Sequence, residues 1–256
     1  MNSGVVAIVC CLALGACTED MGASPGPAAS GGPAVSMALV DKHAAEFDAE
    51  VPARYPGSDE EFAAASYVLG HLQLAGYGTF LDAVPVEDLV RSTNVVAFPS
   101  SGDPSKLVVV DYGIAPGREV DTTSIGLFLE LARAIQVAEP DHSVGFVALG
   151  AAAAADDEIS LGVRRLARFL EERELEPTIV QLEVSSGGSP FKAYGTFADV
   201  INCPSGDCGA VTLEGAFTPN SVLWDEAGLD LTIIRGAAAD AAPALLGWLT
   251  SKVGAT

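Results

Sequence analysis

Two carboxylates flank the stretch of this chain best suited to chemistry. Asp111 follows the β-branched run Leu107 to Val110, at the point where a buried strand should end. Asp121 opens the cluster Asp121-Thr122-Thr123-Ser124, which can start a helix after the Pro/Gly loop Ile114 to Arg118. Carboxylates so placed can hold a hard cation through oxygen or serve as general bases, and open α/β sheets build their sites at strand carboxyl ends. Asp121 can equally be a helix cap and nothing more.

Other reactive side chains narrow the chemistry. Ser124 and Ser221 have no Gly-x-Ser-x-Gly elbow and no histidine placed as a base, which argues against a serine nucleophile. His43, His71 and His142 fall in helices or just before a strand, never at a strand's carboxyl end, so they read as ordinary helix or surface histidines. Cys203 and Cys208, in INCPSGDCG, favour a local disulfide in an oxidising compartment. Closing so small a loop contributes only about 2 kcal/mol. A zinc knuckle there would need two more nitrogen or sulfur ligands, and the sequence around it supplies none.

The elements that must position these groups alternate along the chain. Helices are expected over Asp41 to Val51, Glu60 to Leu74 (capped by Ser58 or Asp59), after the capping cluster Asp121 to Ser124, Leu161 to Glu174 and Asp240 to Val253, with Pro243 in the first turn of the last. Strands are expected over Tyr77 to Val86, Thr93 to Phe98, Leu107 to Val110, Ser143 to Leu149, Thr178 to Val184 and Leu229 to Ile234, with only short strands between Ser185 and Pro219. The helix after Asp121 carries Ile125, Phe128, Leu129, Ala132 and Ile135 on one stripe and should lie against a sheet. This alternation predicts an α/β fold: a three-layer α/β/α sandwich around a mixed, mostly parallel sheet.

The amino terminus points to export. Its first sixteen residues carry no charged side chain, and Val5 to Leu14 is apolar but too short to span a bilayer, as in a signal peptide. Leu14-Gly15-Ala16-Cys17 resembles a bacterial lipobox, which makes Cys17 the expected lipidation site. Against it, no Lys or Arg precedes the apolar run. The Gly/Ala/Ser/Pro composition that follows cannot bury a core and reads as a tether. The expected organisation is a signal peptide at 1–16, a tether at 17–40 and one domain at 41–256. The net charge of −21 argues against nucleic acid as a partner and against an anionic membrane surface, leaving a lipid anchor at Cys17 as the membrane contact.

Four motifs in order resemble the co-catalytic zinc aminopeptidases, the family that includes glutaminyl cyclases. They are RYPGS with EEFAAASYVLGHLQLAGYGT, NVVAFPS at Asn94, LVVVDYG with VDTTSIGLFLELARAI, and VGFVALGA at Val144. The resemblance runs from about Phe47 to Glu183. It implies two zinc ions over the strand ends, held by two His, a bridging Asp and two further carboxylates, with a Glu as general base. The bridging Asp falls on Asp121. The first His falls on Asp111, and the last carboxylate on Glu183. The Glu-Glu pair falls on Ala152-Ala153, or on Asp156-Asp157 if the alanine run is an insertion. Asp156 would then stand for the catalytic base and Asp157 for a ligand. No histidine follows His142 to supply the second imidazole.

These departures set the functional expectation. Zinc in such sites prefers imidazole, and hydrolysis needs metal-activated water beside a base. An Asp at position 156 would withdraw its carboxylate by about 1.5 Å. A displacement of about 1 Å can cost on the order of a hundredfold in rate. The remaining carboxylates, Asp111, Asp121, Asp157 and Glu183, have three fates: to hold a hard cation, to be neutralised by an arginine (Arg118 is nearest in sequence), or to stand apart in solvent. The sequence thus suggests a catalytically impaired, envelope-anchored binding or scaffold module, periplasmic or surface-facing, or else secreted, with an unidentified peptide or protein partner and no cofactor. The alternatives are an active metal-dependent exopeptidase or cyclase using zinc or a hard divalent cation (Ca, Mg or Mn) at an altered site, and a purely structural surface lipoprotein.

Overall fold

The computed structural model describes residues 34–87, 89–114, 121–151, 160–187, 190–197, 201 and 219–251. Seven strands form one sheet: β1 (Gly78–Pro85), β2 (Arg91–Phe98), β3 (Lys106–Asp111), β4 (Val144–Leu149), β5 (Thr178–Ser185), β6 (Lys192–Gly195) and β7 (Leu231–Ala237). Their order is β1-β2-β4-β3-β5-β7-β6. The inner strands β4, β3, β5 and β7 run parallel, while β1, β2 and β6 add antiparallel pairings at the two sides. The inner strands β3 and β4 are buried almost throughout because both faces are covered, which is why their sequences are continuous apolar runs.

The described helices are α1 (Met37–Glu50), α2 (Asp59–Leu74), α3 (Thr123–Ala138), α4 (Leu161–Glu172), α5 (Pro219–Glu226) and α6 (Ala238–Thr250). Side-chain alternation divides each strand between two cores. Val108, Val110, Leu182, Val184 and Ile234 pack with α1, α2, α3 and α6. Leu107, Val109, Ile179 and Leu231 pack with α4 and with Trp224 of α5. The architecture is the expected three-layer sandwich with a mixed sheet.

Element ends differ from the sequence reading where long-range packing decides them. α1 begins at Met37, not Asp41, because Ser36 caps it and Val40 is buried against α3. A Cβ on Gly126 would overlap Val40 O, so glycine is what lets α1 and α3 approach this closely. Residues 34–36 are tied to α3: Ser36 N donates to Glu130, and Arg133 donates to Ala34 O. α3 begins at Thr123, within the expected capping cluster Asp121 to Ser124, and β7 extends to Ala237 rather than ending at Ile234. α6 starts at Ala238, so Pro243 lies inside the helix, past its first turn. Lys106 reaches from β3 to Trp248 O and Ser251 O, both at 2.9 Å, and so satisfies the carboxyl end of α6.

Candidate functional site

The carboxyl edge of the inner strands is held by three buried polar side chains. Glu61, in the first turn of α2, is 2% exposed. One of its oxygens accepts from Ser92 Oγ at 2.7 Å and Ala151 N at 2.9 Å, the other from Gly57 N at 2.7 Å. Asn94 on β2 accepts from Gly150 N at 3.2 Å and donates to Gly162 O at 2.9 Å. A Cβ on Gly150 or Gly162 would overlap this network, and Ala151 turns the chain at φ 49°. Together they fix where the chain leaves β4 and where α4 begins.

Arg54 does the same beside β3. Its Nε donates to Tyr112 O at 2.9 Å, one terminal nitrogen donates to Val51 O at 2.7 Å, and the guanidinium lies 4.7 Å from the Phe47 ring centre. Its partner Asp48, at 3.6 Å, accepts from Thr122 Oγ1 at 2.8 Å, linking α1 to the start of α3. The RYPGS segment therefore connects the ends of α1, β3 and the approach to α3.

The sequence-predicted ligands Asp111, Asp121 and Glu183 sit at this edge, and the protein itself engages the oxygens of Asp121 and Glu183. Asp111 is the last residue of β3 and is partly buried. Asp121 is exposed; its Oδ1 accepts from Thr123 N at 2.9 Å and its Oδ2 from Ser186 N at 3.3 Å, joining the start of α3 to the end of β5. Ser124 reinforces that junction by bonding both Val184 N and Val184 O. Glu183 is ion-paired: its Oε2 accepts from Arg235 Nε at 2.6 Å and its Oε1 from Gln181 Nε2 at 3.2 Å. Alternation puts Asp111, Glu183 and Arg235 on the α4 side of the sheet, opposite Val110, Leu182 and Ile234. Asp121, at the start of α3, belongs to the other side.

Asp156, Asp157, Arg118, Cys17, Cys203 and Cys208 lie outside the described residues. Among the described residues, the arginine that neutralises a rim carboxylate is Arg235, paired with Glu183. No local sequence signal points to Arg235, since it requires knowing that β7 lies beside β5. The spacing of Ser58 and Glu61 did carry a signal, a near capping box, although Glu61 reaches Gly57 N rather than Ser58 N.

The histidines are elsewhere. His43 Nδ1 lies 3.1 Å from Tyr67 Oη, and its ring meets His71 across α1 and α2. His142 is buried between Gln136 and Val144 N. Among the described residues, no group of three His, Cys, Asp or Glu side chains is placed to hold a metal ion. The described donors on this rim do not fit a pair of zinc ions: no imidazole reaches it, Glu183 is held by a guanidinium, and both oxygens of Asp121 accept backbone amides.

Comparison with solved structures places the fold. The chain superposes on a leucine aminopeptidase precursor from Bacteroides thetaiotaomicron with a TM-score of 0.69 at 10% identity, covering 87% of this chain and 99% of that one. A glutaminyl cyclase from Fimbriiglobus ruber gives 0.65 at 13% identity, covering 84% and 95%. A zinc-dependent exopeptidase from Parabacteroides distasonis gives 0.59 at 13%, covering 80% and 85%. No protein-family model matches the sequence, and no curated protein matches it. The chain has the zinc-exopeptidase fold, at an identity that establishes the fold alone.

Proposed function

We propose that this protein is a catalytically impaired relative of the zinc exopeptidases and acts as a binding or scaffold module for a peptide or protein. The observation that carries this reading is the 2.6 Å pair between Glu183 and Arg235. A fixed guanidinium supplies there the positive charge that a metal would otherwise bring, and it leaves Glu183 Oε2 already engaged. The absence of imidazole from the rim supports the same conclusion. What the fold retains is a rigid edge built by Glu61, Asn94 and Arg54, suited to presenting a constant surface. Export and attachment through Cys17 belong to this proposal on sequence grounds. No described helix is long and apolar enough to cross a membrane.

An aminopeptidase assay on the purified full chain, with Zn²⁺, Mn²⁺ or Ca²⁺ added, tests the reading. It predicts no metal-dependent release of amino acids from aminoacyl substrates. Turnover that depends on added metal and disappears in Asp121→Ala would overturn it.

A further inference from the structure

α1 and α2 bring His43 and His71 together at a distance from the rim. His71 lies ten residues beyond Glu61 on α2, about 15 Å along the helix axis. The two ring centres are 4.6 Å apart with their planes at 79°. Tyr67 Oη occupies His43 Nδ1 at 3.1 Å, so Nε2 is the nitrogen that ring has left to offer. Among the described residues no side-chain hydrogen bond holds the imidazole of His71. Both rings are partly exposed and so reachable from solvent.

The spacing has a chemical meaning. A metal–nitrogen bond of about 2.0 Å sets an ion about 3.2 Å from the centre of each bound imidazole. Two rings at adjacent corners of a square-planar or octahedral ion then have centres about 4.5 Å apart. The observed separation matches that arrangement, and it is shorter than the about 5.2 Å that tetrahedral angles would require. We propose that His43 and His71 form a surface site for a borderline divalent transition metal, Cu²⁺ or Ni²⁺ before Zn²⁺, with water completing the coordination shell.

The surroundings suit a cation. The carboxylates of Glu46 and Glu50 both favour positive charge at His71. Lys42 opposes them, but it is itself paired with Glu46 at 3.7 Å. Burial lowers the pKa of both imidazoles, with His71 adding to the effect at His43 while Glu130 and Glu46 oppose it. At neutral pH the rings are therefore unprotonated, and their lone pairs are open to a metal. The site is independent of the rim and of the proposed loss of catalysis.

Calorimetric titration of the full chain with CuCl₂ or NiCl₂ at about pH 7.5, with electron paramagnetic resonance of the Cu²⁺ form, tests the site. We expect one ion bound per chain and a spectrum showing two nitrogen donors. His71→Ala should weaken binding on the order of tenfold or more and leave one nitrogen in the spectrum. His43→Ala also removes the contact to Tyr67, so its circular dichroism must match the parent before its affinity is read. Absence of binding to the parent chain, or undiminished binding in His71→Ala, would contradict the proposal. So would loss of Cu²⁺ binding in Asp121→Ala, which would put the ion at the rim.

Discussion

Arg235 Nε donates to Glu183 Oε2 at 2.6 Å across two neighbouring parallel strands whose residues are in matched register. Both side chains are about one-third exposed, so solvent screens the pair and its contribution to stability is about 1 kcal/mol or less. Arg235→Ala and Glu183→Gln should each destabilise the fold by about that amount. The double variant should cost less than the sum, because each single change already removes the same contact. Urea denaturation of the four proteins in a double-mutant cycle measures this directly, and additive losses would mean that the two groups do not interact.

Glu61 is a much costlier position. Its removal leaves Gly57 N, Ser92 Oγ and Ala151 N without their acceptor beneath the end of β4. Glu61→Ala should therefore lower unfolding free energy by about 2–4 kcal/mol. Hydrogen exchange at the Ala151 amide should rise with it, since that amide is bonded to the lost carboxylate.

Two glycines in helices should respond in opposite directions. Gly126→Ala places a methyl group on Val40 O and should destabilise the α1–α3 contact by about 1–3 kcal/mol. Gly70, inside α2, has open space at the same position, and Gly70→Ala should stabilise by about 0.5–1 kcal/mol. Thermal melts of the two variants compare them under one condition.

Acidification should weaken the fold through His142. Burial lowers its pKa, with Glu139 opposing. Its Nδ1 accepts from Val144 N at 3.1 Å while Nε2 meets Gln136 Oε1 at 2.7 Å, a pattern that only the neutral ring satisfies. The unfolded chain takes up a proton near the ordinary value of 6.5, and the folded chain does so only at lower pH. Between those two values the unfolded state binds more protons, so stability is full above about pH 6.5 and falls as pH drops towards the folded pKa. His43 and His71 are shifted in the same direction and add to the slope. His142→Gln should flatten the profile between about pH 7 and pH 5, and an unchanged slope would remove His142 from the explanation.

The sandwich was legible because its inner strands announce themselves. Leu107 to Val110 and the run ending at Leu149 are apolar on both faces, and α3 carries a wide apolar surface. The start of α1 was not legible, since Met37 to Val40 follows a Gly/Pro-rich stretch and Val40 is buried within a core cluster shared with α3, far along the chain. At the site, the positions of Asp111, Asp121 and Glu183 near strand and helix ends could be read from pattern. Their engagement could not. The partner of Glu183 comes from a strand 52 residues away, and Glu61 meets Ala151 across 90 residues. Local composition encodes neither separation. Position along an element is a local property, whereas the partner that consumes a lone pair is set by strand order.

The most direct measurement is a crystal structure of the full chain grown with excess Zn²⁺, with ions located by anomalous scattering. The expected result is that Glu183 Oε2 stays on Arg235 Nε and that no pair of zinc ions is bridged by Asp121. Two zinc ions bridged by Asp121, with Asp111 and Glu183 among their ligands and Arg235 displaced, would contradict it.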